Sequence, residues 1–246
     1  MNIVCIIQAR VGSNRLPNKI FLDLEGKPVL ARVIERLQRS KFISRIVVAS
    51  PDKEADNKIE NFINDNYKDV GMYRGSENDV LDRYYQAAEK FKADVVVRIT
   101  SDCPLIDPEV VDKVIENLLE KKIDYVSNVL GERTYPRGLD VEVFPFTALK
   151  RIWQEAKEPG DREHVTLYLR KHPEFFSASD VRSKENYSRF RLTLDEEKDY
   201  KFIKLVYKKL FPKNKNFGLW EVVELFKKEP NLAKINSEIE QKNAKY

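Results

Sequence analysis

Short apolar runs rich in β-branched residues alternate, along the first half of this chain, with segments whose apolar residues recur at helical spacing. No other feature restricts the fold as much. Residues 3–7 (Ile-Val-Cys-Ile-Ile), 44–49, 70–73 and 94–99 read as buried strands. Between them, Val29, Leu30, Val33, Ile34 and Leu37 mark a helix with Pro28 as its first residue, and Ile59, Phe62 and Ile63 mark a second. Leu81, Tyr84, Tyr85 and Ala88 mark a third, capped by Asn78 or Asp79, and Pro108 opens a fourth through Val110, Val114 and Leu118. This order predicts an α/β fold, a parallel sheet with helices on both faces.

Near residue 130 the regular pattern gives way to a more mixed region. Residues 125–129 read as a strand, 131–138 as a polar loop, and 139–144 as a strand with Leu139, Val141 and Val143 on an apolar face and Asp140 and Glu142 on the other. A helix over 146–156, a break at Pro159-Gly160, a helix over 162–171 and late strands at 175–181 and 190–193 complete this part. The tail carries two amphipathic helices, through Phe202, Ile203, Val206 and Tyr207 and through Leu219, Val222, Val223 and Phe226. Residues 235–246 are polar and are expected to fray or to pack on a partner. The whole reads as one domain, 1–246, with an insertion at 131–190 and a helical extension at 196–246.

The first strand runs into Gln8-Ala-Arg-Val-Gly-Ser-Asn-Arg-Leu-Pro-Asn-Lys19, where Gly12, Ser13, Asn14 and Pro17 keep the chain irregular and Arg10, Arg15 and Lys19 supply three cations. Backbone N–H groups freed at such a turn, ringed by guanidinium and ammonium groups, form a concave anion site suited to a polyphosphate. A solvated turn with surface cations is the competing reading. The GKS/GKT phosphate loop and the GxGxxG fingerprint are both absent, since Gly12 stands alone.

In an open α/β sheet the ligand crevice lies beyond the carboxyl ends of the strands. Asp102, in Thr100-Ser-Asp-Cys-Pro after the clearest central strand, faces that crevice, with a turn or capping role as the alternative. Asp195 follows 190–193 and is either a second carboxylate of the site or the cap of the next helix. If they converge, the pair suits Mg²⁺, which takes few protein ligands and completes its shell with water and phosphate oxygens. Arg137, Gly138, Asp140 and Glu142 form a dense polar set able to bind sugar hydroxyls, or else exposed turn and strand residues. His164 is a surface, packing or site residue.

With 44 basic and 40 acidic residues the net charge is +4, which suits anionic small substrates and does not call for nucleic acid. Cys5 and Cys103, each in or beside a core strand, are expected as buried thiols in a reducing compartment. No segment has the pattern of a signal peptide or the length of a membrane span, so no membrane and a cytoplasmic location are expected.

Ile7-Gln-Ala-Arg-Val-Gly-Ser-Asn-Arg-Leu-Pro-Asn-Lys19 resembles the N-terminal motif of the sugar cytidylyltransferases, in the spore-coat polysaccharide branch related to the acylneuraminate and ketodeoxyoctonate cytidylyltransferases. The likeness continues through Tyr73-Arg-Gly-Ser76, Asp79-Val-Leu-Asp-Arg-Tyr84, Arg98-Ile-Thr-Ser-Asp-Cys-Pro-Leu-Ile-Asp107, Pro136-Arg-Gly-Leu-Asp-Val-Glu142, Arg162-Glu-His164 and Arg191-Leu-Thr-Leu-Asp195. It implies a Rossmann-like nucleotide-diphospho-sugar transferase fold of the glycosyltransferase A type, with a mixed, mostly parallel sheet. It further implies that Arg10, Arg15 and Lys19 contact the phosphates of CTP and act with Asp102 as the catalytic set. Gln8, Ala9, Gly12, Ser13, Arg74, Gly75, Ser76, Asp79 and Ser101 would complete the nucleotide site. Asp102 and Asp195 would hold Mg²⁺, and Arg137, Asp140, Glu142 and His164 would line the pocket of an anionic sugar acceptor. The implied reaction is attack of the acceptor on the α-phosphorus of CTP with loss of pyrophosphate, for surface polysaccharide synthesis. A homodimer is common among the sugar-acid relatives, and the apolar tail helices suit it. A glycosyltransferase using a nucleotide sugar is the runner-up, weakened because Ser101-Asp102-Cys103 offers one acid where such enzymes carry a pair. A non-catalytic nucleotide- or sugar-binding protein is the third reading.

Overall fold

In the computed structural model, which describes residues 1–240, the chain runs through β1 (Ile3–Gln8), a small hairpin of β2 (Asp23–Leu24) and β3 (Lys27–Pro28), and α1 (Val29–Leu37). It continues through β4 (Arg45–Pro51), α2 (Asn57–Asn66), β5 (Val70–Gly75), α3 (Val80–Lys90), β6 (Val95–Thr100) and α4 (Pro108–Lys121). Then come β7 (Tyr125–Ser127), β8 (Glu142–Pro145), α5 (Phe146–Glu155), α6 (Pro159–Glu163), α7 (Leu167–Lys171), β9 (Ala178–Asp180), α8 (Glu197–Leu210) and α9 (Leu219–Lys228). The seven-stranded sheet has the order β5-β4-β1-β6-β8-β7-β9. Strands β5, β4, β1 and β6 pair in parallel, whereas β8 pairs antiparallel with both β6 and β7, and β9 returns to parallel pairing with β7. The sheet is thus mixed and mostly parallel.

Strand β1 shows why both faces are covered. Ile3, Cys5 and Ile7 pack with α1, α2, α4 and the tail helices, while Val4 and Ile6 pack with α3 and α5. Successive side chains point to opposite faces, so an uninterrupted apolar run serves two cores. Both cysteines are buried free thiols. Among the described residues no helix is long and apolar enough to cross a membrane.

Several expectations need correction. Pro28 is the residue before α1, in extended conformation, and not its first helical residue. The expected break at Pro159-Gly160 instead opens the short helix α6, and the helix expected over 162–171 is interrupted after Glu163 and resumes as α7, because Val165 between them takes a positive φ of 55°. The two-faced strand at 139–144 is paired only from Glu142. Ahead of it the Asn128 side chain donates to the Leu139 carbonyl and accepts from the Val141 amide, at 2.6 and 2.9 Å, in place of a ladder. Glu142 and Phe144 are buried as well, which leaves Asp140 alone partly exposed on the face expected to be solvated. Residues 190–193 form no strand, only one bridge between Arg137 and Arg191. The strand expected at 175–181 is confined to β9.

The apolar stripes of α8 and α9, which the sequence offers to a partner, are buried on this chain's own core through Phe202, Val206, Val222 and Phe226. Ile235 packs against that core and Asn236 is buried, so the expected fraying does not begin there; residues 241–246 of that expectation lie outside the described residues.

Candidate active site

The loop after β1 is held from below. The Ala9 amide donates to the Ala49 carbonyl at 3.0 Å, and the Val11 amide donates to the buried Asp56 carboxylate at 2.7 Å. Asn18, at a φ of 57°, reverses the chain into a single 3-10 turn, Lys19–Phe21. Asn tolerates this left-handed region better than most residues. The turn directs Lys19 back over the carboxyl end of the sheet, where its ammonium lies 2.8 Å from Asp102 Oδ2 and 2.9 Å from Asp195 Oδ1. Arg15 reaches the same place, 3.2 Å from Asp195 and 3.1 Å from Glu196.

The two aspartates arrive on different segments. Asp102 sits in the turn after β6, where the Thr100 hydroxyl donates to its Oδ1 at 2.6 Å. Its main-chain carbonyl accepts from the Leu194 amide at 2.8 Å, which stitches the segment bearing Asp195 beside it. Asp195 does not cap α8. Glu196 does, in a capping box with Asp199, and this leaves the Asp195 carboxylate free to face Lys19, Arg15 and Arg191. Burial by itself would raise the Asp102 pKa, but the Lys19 ammonium and the Lys19 and Thr100 hydrogen bonds outweigh it and hold the carboxyl below its ordinary value. Burial would likewise lower Lys19, and the charges of Asp102 and Asp195 outweigh that, holding its pKa above the usual lysine value.

Two cavities open from this point. One, of about 350 Å³, is lined by Gln8, Arg10, Ser13, Asn14, Arg15, Lys19 and Ser101. The other, of about 560 Å³, is lined by Arg98, Arg133, Arg137, Gly138, Asp140, Glu142, His164 and Arg170 among others. Thr100, Asp102 and Asp195 belong to both walls. A ligand in either cavity therefore meets the same two carboxylates.

Gln8, Arg10, Ser13, Arg15, Lys19, Ser101, Asp102 and Asp195 thus come together as the sequence suggests, and so do Arg137, Asp140, Glu142 and His164. Others do not. Ala9 is buried beneath the loop and Gly12 is not part of the wall. Arg74 is turned toward Asp52, Asn57, Glu60 and the Lys53 carbonyl, and Gly75 and Ser76 stay beside Arg83. Asp79 caps α3 and is gripped by Arg162, whose guanidinium lies 2.6 Å away. Glu142 is present but occupied. Buried on β8, it pairs with Arg98 and accepts hydrogen bonds from Tyr125 and Thr166, which together hold its carboxyl below the ordinary range against a burial effect of opposite sign.

Residues missed by sequence reading include Asn14, Thr100, Arg133 and Arg170. A charged residue in the apolar run of β6, Arg98, was the visible sign of a buried partner. Nothing marked Arg133, which binds Asp140 through both guanidinium arms at 2.6 and 2.9 Å.

A divalent cation can be tested against these groups. Asp102 and Asp195 converge on one ammonium, so two hard oxygen donors already share a single cationic position. Among the described residues no group of three or more His, Cys, Asp or Glu side chains could hold a metal ion. An ion here would draw most of its shell from water and ligand oxygens, which is how Mg²⁺ is held beside phosphates. The donor set fits.

Residues 4–245 match the family model described as cytidylyltransferase. An uncharacterized protein of Methanocaldococcus jannaschii is 41% identical over 245 residues, covering 99% of this chain and 98% of its own length. The spore coat polysaccharide biosynthesis protein SpsF of Bacillus subtilis is 33% identical over 240 residues, covering 94% and 97%. The solved structure of a cytidylyltransferase from Leptospira borgpetersenii superposes with a TM-score of 0.90 at 32% identity, covering 99% of this chain and all of the other.

Proposed function

We infer the reaction from one premise, that this chain belongs to the cytidylyltransferase family, and from the way its two cavities share Asp102 and Asp195. It is a nucleotidyltransferase that uses CTP. The acceptor, a sugar acid hydroxyl or the phosphate of a sugar or alditol, attacks the α-phosphorus, and the products are a CMP- or CDP-activated sugar and pyrophosphate. Surface polysaccharide synthesis is the process it serves.

The loop bearing Arg10, Arg15 and Lys19 takes the triphosphate. Lys19 and Arg15 exchange their carboxylate partners for phosphate oxygens, a change of ion-pair partner and not an uncovering of charge. Gln8 and Ser101, on the same wall, face the nucleoside side. Mg²⁺ held by Asp102 and Asp195 would neutralise phosphate charge and make the α-phosphorus more electrophilic. Thr100 and the Leu194 amide keep the Asp102 carboxylate and backbone fixed while ligands exchange.

Acceptor binding falls to Arg137, Asp140 and His164, with Glu142 acting behind them by holding Arg98 and Thr166 in place. The Arg137 guanidinium has no ion-pair partner among the described residues, and burial with the nearby guanidiniums of Arg133 and Arg191 lowers its pKa against the opposing pull of the Asp140 carboxylate. A guanidinium without an ion-pair partner at the cavity wall offers a charge-assisted contact to an anion, which supports an acidic or phosphorylated acceptor. In-line placement across the shared carboxylates supplies most of the rate. The same reading makes 131–190 the acceptor side of one domain and keeps a homodimer as a proposal resting on the family resemblance alone.

The observation that carries this reading is the common wall of the two cavities. Purified protein incubated with each of the four nucleoside triphosphates, Mg²⁺ and a panel of sugar acids and sugar phosphates should release pyrophosphate with CTP and an anionic acceptor. Release that ignores the acceptor, or that persists in Asp102→Asn, would refute it.

A further inference from the structure

The helical tail takes part in the site through a buried polar hub. Asp199, on the first turn of α8, is fully buried, and five hydrogen bonds converge on it. Its Oδ2 accepts from the amides of Asp195 and Glu196 at 3.0 and 3.1 Å and from Arg191 at 3.0 Å. Its Oδ1 accepts from Arg191 Nε at 2.9 Å and from the Asn236 amide nitrogen at 2.8 Å. That same nitrogen donates to the Arg191 carbonyl at 3.0 Å. Arg191 in turn donates to Asp195 Oδ2 at 3.1 Å. One oxygen of Asp195 and its main-chain amide are therefore both set by groups that Asn236 ties together.

We propose that Asn236 is a positioning residue for the site: it locks Asp199 and Arg191 so that Asp195 presents its carboxylate to the ion beside Asp102. The proposal rests on the reading of Asp195 as a metal ligand. Asn236 is 1% exposed and lies in the tail, far along the chain from the motifs that carry the family likeness. Its geometry argues for more than packing. A neutral amide that bridges a carboxylate and a carbonyl fixes both, and without it Asp199 keeps its charge but loses one of the two donors on Oδ1, leaving that oxygen to Arg191 alone. The Asp199–Arg191 pair is then fixed by one bridge fewer, and the Asp195 oxygen that Arg191 anchors is positioned less tightly. Asn236 touches neither nucleotide nor ion, so its removal should act on metal affinity while nucleotide recognition by the first loop persists.

Mn²⁺ serves as the probe, followed by its paramagnetic resonance signal at fixed CTP, with CTP binding in the absence of metal measured alongside. Asn236→Ala should raise the Mn²⁺ half-saturation about tenfold and leave metal-free CTP binding within twofold of the parent. Leu232→Ala, in the same tail and packed in the apolar core, serves as the control for destabilisation alone, with melting temperatures recorded for each. It should leave Mn²⁺ half-saturation unchanged. Asn236→Ser, smaller but still a donor, should fall between parent and Asn236→Ala and stands in should the alanine variant not fold. Equal Mn²⁺ affinity in the parent and in the Asn236 variants would overturn the proposal, as would an equal rise in Leu232→Ala. A parent protein that takes up no Mn²⁺ with CTP would instead overturn the reading of Asp195 on which it rests.

Discussion

The two cavities are built in opposite ways. The triphosphate side comes largely from one continuous stretch, residues 8–19, in which Arg15 and Lys19 stand at the cleft with carboxylate partners they can exchange. The acceptor side is gathered from β6, the loop after β7, β8, the turn between α6 and α7, and the segment before α8. Its central charge, Glu142, is sealed by Arg98, Tyr125 and Thr166. Exchangeable pairs at a cleft bind ligands, whereas saturated buried pairs hold walls. Substitutions on the two sides should therefore fail differently, the first in binding and the second in folding.

The largest expected effect is on the acceptor wall. Glu142→Gln leaves the part-buried Arg98 guanidinium without its counter-charge, and unfolding experiments should show a loss of about 3 kcal/mol, the low end for a broken buried pair because Arg98 borders the cavity. A loss in the range of surface substitutions would erase the contrast. On the other side, Lys19→Met should cost ten- to a hundred-fold in triphosphate affinity or rate, the equivalent of about 1.5–3 kcal/mol for a charge-assisted contact. Nucleotide titration and pyrophosphate release check this, and unchanged values would remove Lys19 from the site.

How far each side could be read from the sequence follows the same division. Gly12, Arg15 and Lys19 sit a few residues apart after an apolar strand, so local spacing was enough to suggest an anion site. Asp102 was visible because it follows a central strand at the sheet's carboxyl end. The acceptor wall depends on contacts between distant residues, such as Arg133 with Asp140 and Glu142 with Thr166, and on Asn128 replacing a strand ladder. None of these leaves a periodic trace. Asp195 was legible only as a choice between cap and ligand, and the decision lay with Glu196 and Asp199, which took over the cap. Arg74 and Asp79, carried by the same family motifs, stand outside both cavity walls and in pairs with Glu60 and Arg162, partners that no local spacing in the sequence announces.

Gly138 joins the two sides and gives a smaller, sharper test. It has a φ of 94°, and a Cβ there would lie 2.5 Å from the Thr193 nitrogen, on the segment that leads to Asp195. Gly138→Ala should cost more than about 1 kcal/mol of stability and should also weaken acceptor binding, because the loop has to move off residues 192–193. Calorimetry and acceptor titration would show whether the two losses occur together.

The smallest effect is in pH dependence. Glu142 and Asp102 have folded pKa values below their ordinary 4.5 and 3.8, so each contributes stability above those values that is lost as pH falls through the folded value. Lys19 is raised above 10.5, so its contribution is complete below that pH and is lost as pH rises through the folded value. Melting temperatures across pH should fall at both ends in the parent. Lys19→Met should soften both limbs, the alkaline one only in part because the buried Tyr84, Tyr125 and Tyr207, raised by burial, still titrate there, while Glu142→Gln should soften the acid limb only.

The central claim, that one cleft grips metal-bound CTP between Asp102 and Asp195, is tested most directly by anomalous scattering from crystals of the full chain soaked with CTP and Mn²⁺. The account predicts a single peak within coordination distance of both carboxylates, with Lys19 moved onto phosphate oxygens. A peak away from either carboxylate, or a nucleotide lodged outside the cavity of Arg10, Arg15 and Lys19, would contradict it.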